Sequence, residues 1–242
     1  MYADDLVLLA PSVSELQTMI HVCIAQLRLL DININSKKSN IIRIGSNFKT
    51  RCADLCAGQE KVEWVREAKY LGIYIVAGTT FKVNFEKTKA KFYRAANGIL
   101  AKIGSKNNIP VTLKLLNTIA LPILTYAIET LALSKHELIS LHHPWLRIFQ
   151  KVFHTFDTEV VKLCQFYHGY LPVSLFHIIK SMTFLTKLPM SNNMLIRHIY
   201  ETSDSDDVGR IARSLNCDKG EFLKSYCYTV YKHFEDSCIM PM

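Results

Sequence analysis

The sequence predicts an α+β fold, with a mixed α and β segment up to about residue 78 and an all-α remainder. Three observations carry this. Short apolar and alternating runs suited to strands are confined to the first 78 residues, and after Gly78 the apolar spacing turns helical. At 242 residues and 49% hydrophobic content, the chain can bury a sizeable core as one large domain or two smaller ones.

The elements follow in order. Leu6-Val7-Leu8-Leu9-Ala10, bounded by Pro11, reads as a short buried strand. Ser12-x-x-Glu15 is a capping box, and Val13, Leu16, Ile20, Cys23, Leu27 and Leu30 then recur at helical spacing, so a helix is expected over about 13–30. Ile32-Asn33-Ile34-Asn35 alternates, residues 40–44 are isoleucine-rich, and residues 62–65 and 70–76 are further extended runs. Phe81, Phe85, Phe92, Ala96, Ile99 and Ile103 mark a basic helix that stops near Gly104. Further helices are expected over 111–133, kinked near Pro122, and over 135–156, 173–185, 192–201, 207–215 and 220–235. The expected division is 1–78, 79–135 and 136–242.

A net charge of +8 and a pI near 9.1 point to a polyanionic partner without choosing between nucleic acid and an anionic membrane. The charge is concentrated. Residues 36–51 hold Lys37, Lys38, Arg43, Lys49 and Arg51 with no acid, and residues 81–106 hold seven Lys or Arg against Glu86 alone. A solvated face is the competing reading of each run. Seven cysteines, an odd number, and no signal-peptide pattern suggest an intracellular chain with free thiols, nuclear or cytoplasmic. The apolar stretch 115–133 contains Asn117, Pro122 and Glu129, which are costly in hydrocarbon, so a buried kinked helix is expected and no membrane partner.

One cluster looks built for divalent metal: Met1-Tyr2-Ala3-Asp4-Asp5, an aromatic residue and two adjacent carboxylates ahead of the first apolar run. Hard cations such as Mg²⁺ take carboxylate oxygens and leave positions for water and substrate phosphates, so the pair suits phosphoryl transfer. Two solvated aspartates at a frayed terminus are the plain alternative.

With this turn, the helix, Asn35-Ser36-Lys37-Lys38-Ser39 and Lys69-Tyr70-Leu71-Gly72 in that order, the chain resembles the reverse transcriptase of non-LTR, LINE-like retrotransposons, from Met1 to about Leu185. Tyr2 to Asp5 is similar to that family's metal-binding palm hairpin. Asn35, Lys38 and Ser39 match its Asn-x-x-Lys-Ser/Thr segment, and Tyr70, Leu71 and Gly72 its primer-gripping hairpin. The segments 92–97 and 121–126 look like its thumb and post-thumb. The resemblance implies a partial palm over 1–78, a helical thumb over 79–135 and a helical C-terminal region over 136–242.

It further implies that Asp4 binds Mg²⁺ with Asp5 beside it, that Tyr2 packs near the primer end or nucleotide, and that Lys38 approaches the leaving pyrophosphate. Tyr70, Leu71 and Gly72 would position the primer. Lys82, Lys87, Lys89, Lys91 and Arg94 would lie along an RNA template and DNA primer. Deoxynucleoside triphosphates would be substrates of the intact enzyme. The family motifs that precede the Tyr-x-Asp-Asp turn, including the first catalytic aspartate and the fingers, have no counterpart here, so the palm is expected to be incomplete and the chain inactive by itself. A non-catalytic nucleic-acid-binding remnant and an unrelated helical protein remain the other readings.

Overall fold

The computed structural model describes residues 5–104, 108–202 and 207–238. The fold is α+β: every strand among the described residues lies before residue 84, and every later element is helical. Contacts divide the chain into two compact units, 1–85 and 86–242.

In the first unit, α1 (Val13–Arg28) starts where Ser12 Oγ accepts from the Glu15 N–H. It ends two residues before Leu30, because Asp31 turns left-handed (φ 54°) and the Ile32 N–H folds back to the Leu27 carbonyl. That same bond removes Ile32 from any ladder, so the alternating run 32–35 is not a strand.

The next elements are β1 (Asn40–Ile41), β2 (Leu55–Ala57) and β3 (Glu60–Trp64), in the order β1-β3-β2 with β1 parallel to β3 and β2 antiparallel to it. α1 packs against this sheet. Ile20, Ile41, Leu55 and Val62 are buried between them, ringed by Leu8, Val13, Leu16, Ile24 and Trp64. A second antiparallel sheet has β4 (Glu67–Tyr70), β5 (Ile73–Val76) and β6 (Lys82–Val83).

Two further expectations fail here. Leu6 to Ala10 is not a buried strand: the segment carries a single bridge at Asp5 and no ladder, so Leu6, Val7 and Leu9 have no sheet face to fill and stand exposed. The basic helix does not start at Phe81, because residues 82 and 83 pair with Val76 and Ile75 in β6.

The second unit opens with α2 (Glu86–Ile103), closed by Gly104 at φ 60°. α3 (Ile109–Leu115) runs into a π-helical turn over Leu116–Ala120 and then α4 (Leu121–Leu124). Pro122 explains the widening: it has no N–H and its ring would clash with the carbonyl one turn back, so the Leu121 N–H bonds to Leu116 instead. After a 3₁₀ turn over Ile128–Thr130 come α5 (Lys135–Phe153), α6 (Thr158–Tyr167), α7 (Val173–Lys187), α8 (Met194–Thr202), α9 (Asp207–Ser214) and α10 (Lys219–Cys238).

The core of this unit is aromatic. Trp145 stands edge-on to Phe92 and Phe149 at ring separations of 6.5 and 5.0 Å, and its indole N–H reaches the Leu171 carbonyl. Phe222, Phe234, Val230 and Met182 form a further cluster between α7, α9 and α10. α5 packs on α2, so a boundary at 135/136 does not coincide with a break between compact bodies. All seven cysteines are free, and no described helix is long and apolar enough to cross a membrane.

Candidate nucleic-acid interface

The helical period of α2 sorts its residues onto faces. Phe92 and Ala96 are fully buried, with Ile99 and Ile103 partly buried on the same side. Lys87, Lys91, Arg94 and Lys102 are all exposed and fall within about 80° of arc at 100° per residue, opposite the buried side. They form one basic stripe. A phosphate backbone is recognised chiefly by such Lys and Arg contacts.

Lys89 does not belong to the stripe. Its place in the period turns it toward the buried side, its side chain is only 15% exposed, and its ammonium donates to Glu86 Oε1 at 2.8 Å and Ser140 Oγ at 2.5 Å. It ties α2 to α5 rather than facing a ligand. Lys82 is likewise off the helix, in β6.

Of the other residues singled out by sequence, Tyr2 and Asp4 lie outside the described residues. Asp5 is exposed at its isolated bridge. Among the described residues no group of three or more His, Cys, Asp or Glu is placed to hold a metal ion. The described donor set is therefore a single carboxylate, short of a Mg²⁺ site, and the metal assignment turns on Asp4.

Lys38 sits exposed in a built turn. Its backbone N–H donates to the Asn35 side chain and carbonyl, both at 3.1 Å, and the Ser39 N–H and hydroxyl close onto the same carbonyl. The turn thus presents Lys37 and Lys38 together. Arg43 is drawn inward to the Thr50 carbonyl and the Cys52 sulfur, which leaves Lys49 and Arg51 as the exposed cations further along.

Leu71 and Gly72 are the two loop residues of the β4–β5 hairpin, between the paired Tyr70 and Ile73. Both take positive φ, 43° and 90°, the conformation a two-residue hairpin turn requires. Glycine adopts it freely, whereas a leucine there costs about 1–2 kcal/mol. Leu71 is held exposed at a strained tip, and Tyr70 is half-buried beside it.

Sequence reasoning missed the cations on α5. Lys151 Nζ donates to Asn97 Oδ1 at 3.1 Å, beside the α2 stripe, and Arg147 lies one turn earlier on the same helix. Arg147 is close enough to Tyr93 to oppose the upward push that burial gives its phenol. The i, i+4 spacing of Arg147 and Lys151 was visible in the sequence, but their neighbours across α2 were not. Compared with protein-family models, curated proteins and solved structures, the chain matches none.

Proposed function

We propose that the chain holds a nucleic-acid duplex along α2 and that it is the palm and thumb portion of an RNA-directed DNA polymerase of the non-LTR retrotransposon kind. The observation that carries the reading is a sequence of two built features. A tight hairpin, with Leu71 and Gly72 at its tip and Tyr70 beside them, is followed in the chain, after the short strand β6, by a helix whose exposed side is basic and whose other side is buried. That is the order the motif resemblance implies for a primer grip and a thumb.

In this reading Lys87, Lys91, Arg94 and Lys102 neutralise backbone phosphates without reading bases, and Tyr70 to Gly72 position the primer end. Asp4 and Asp5 would hold Mg²⁺, whose chemistry is to polarise the transferred phosphoryl group, and Lys38 would supply charge or a proton to the leaving pyrophosphate.

The test is primer extension on an RNA template by this chain joined behind the N-terminal half of a related element. Asp4→Ala abolishes extension, and Lys38→Ala slows it by roughly 10²- to 10³-fold if it acts as a general acid. Extension indifferent to Asp4→Ala removes the catalytic assignment.

A further inference from the structure

The end of α5 carries a feature that duplex binding does not use. Phe156 is 83% exposed and lines an open cleft of about 560 Å³ with Arg147, Gln150, Lys151 and His154. Leaving a phenylalanine in water forgoes the burial that otherwise drives such a side chain inward. Local hydrogen bonds keep it there.

His154 ends α5 in the left-handed conformation, and the Thr155 N–H returns to the Gln150 carbonyl. Gln150, itself buried, donates its side-chain amide to the Phe156 carbonyl and accepts from Arg147 through its oxygen at 3.1 Å. On the other side, the Asp157 carboxylate caps α6 through the Glu159 and Val160 N–H groups, so the nearest acid is already engaged. The loop is fixed at both ends around one exposed ring, and the Arg147 guanidinium is oriented by the same glutamine that holds the loop.

We propose that Phe156 is a stacking platform for an unpaired base, with Arg147 and Lys151 on the adjoining phosphates, so that the cleft takes a single-stranded nucleic-acid segment. The inference rests on the reading of α2 as a nucleic-acid surface and deepens it. Three features select this occupant. The cleft-lining charges are cationic, which fits a polyanion. The recognition element is a flat ring rather than a hydrogen-bonding group, which suits any base through its π-face. The Lys151–Asn97 bond joins the cleft to the α2 stripe, so one strand could continue from one surface to the other. A base within a duplex is already stacked on both sides and cannot use the ring.

The experiment measures affinity by fluorescence anisotropy for a labelled single strand, the same strand made abasic, and a blunt duplex. Phe156→Ala is expected to weaken binding of the ordinary strand by roughly 5- to 100-fold, the range for losing one base–aromatic stack. Blunt-duplex affinity stays unchanged. Phe156→Leu falls as Ala does, whereas Phe156→Trp restores binding, which separates stacking from apolar contact. The abasic strand binds the unaltered protein weakly and is indifferent to Phe156→Ala.

Single-strand affinity unchanged by Phe156→Ala, or an abasic strand as sensitive as the ordinary one, overturns the stacking site while leaving the α2 reading intact. Binding of neither duplex nor single strand by the unaltered protein overturns both. Phe156 is exposed, so these substitutions do not threaten folding.

Discussion

The two compact units are held together by different physics. Among the described residues, 1–85 bury the apolar side chains Ile20, Ile41, Leu55 and Val62, none aromatic, whereas 86–242 bury twenty-two such residues, among them Trp145, Phe92, Phe149, Phe222 and Phe234. The first unit relies instead on polar ties. Gln17 grips both backbone groups of Cys56, donating to its carbonyl at 2.9 Å and accepting from its N–H at 2.8 Å, and Asn35 organises the Lys38 turn. Apolar burial contributes about 25 cal/mol per Å², so the all-α unit carries most of the stability. The unit with the large aromatic core presents the basic helix, and the unit with the small aliphatic core presents the strained hairpin tip.

The largest expected effect follows from removing the aromatic centre. Trp145→Ala takes away a ring touching Phe92, Phe149 and Tyr170 together with its bond to Leu171, and should cost about 3–5 kcal/mol in chemical denaturation. A loss confined to the sheets would reverse the contrast between the units.

Acid should act next, and on the same unit. Burial holds His142 down at about 4, and its Nδ1 accepts from the Val173 N–H, which only the neutral ring can do. The unfolded chain takes up the proton near 6.5. Stability is therefore full above that pH and falls as pH drops toward 4, by on the order of 3 kcal/mol. His177, also pushed down by burial, adds in the same direction. Thermal unfolding followed against pH checks this, with His142→Asn keeping an acceptor for Val173 while flattening the profile.

A smaller and local effect is expected in the first unit. Gln17→Ala strands the Cys56 N–H and carbonyl and should cost about 1–2 kcal/mol. Amide exchange should speed in 55–57 and leave α5 unchanged; equal acceleration in both would mean that the two units unfold as one.

How much of this was legible in the sequence depends on whether a local signal decided the outcome. The Ser12 cap and the Gly104 stop were readable because each is set by a few adjacent residues, whereas the run 70–76, read as one extended stretch, is broken by the turn at Leu71-Gly72, a hairpin that only the family resemblance implied. The run 6–10 misleads because apolar composition says nothing about whether a neighbouring strand exists. α6 escapes notice because its buried positions are Val161 and Gln165, and a buried glutamine breaks the apolar period; Asp157 as a cap is the signal that could have found it.

The candidate site divides the same way. Charge density located α2, but only the helical phase, read against what the helix packs on, separates Lys89 from Lys87, Lys91 and Arg94. Lys151 reaches α2 through a tertiary contact with Asn97 that no local pattern encodes, and Arg147 approaches Tyr93 in the same way.

The most direct measurement is the salt dependence of duplex affinity for the unaltered chain, for Lys87→Glu/Lys91→Glu/Arg94→Glu, and for Lys135→Glu on the exposed start of α5. Binding through the α2 stripe predicts a steep linear fall of log affinity with log salt for the unaltered chain and for Lys135→Glu. The triple reversal should lower affinity for every duplex alike and reduce the slope by about 3, one for each phosphate that is no longer neutralised. A slope and affinity untouched by the triple reversal would contradict the stripe as a nucleic-acid surface and leave it a solvated helix face.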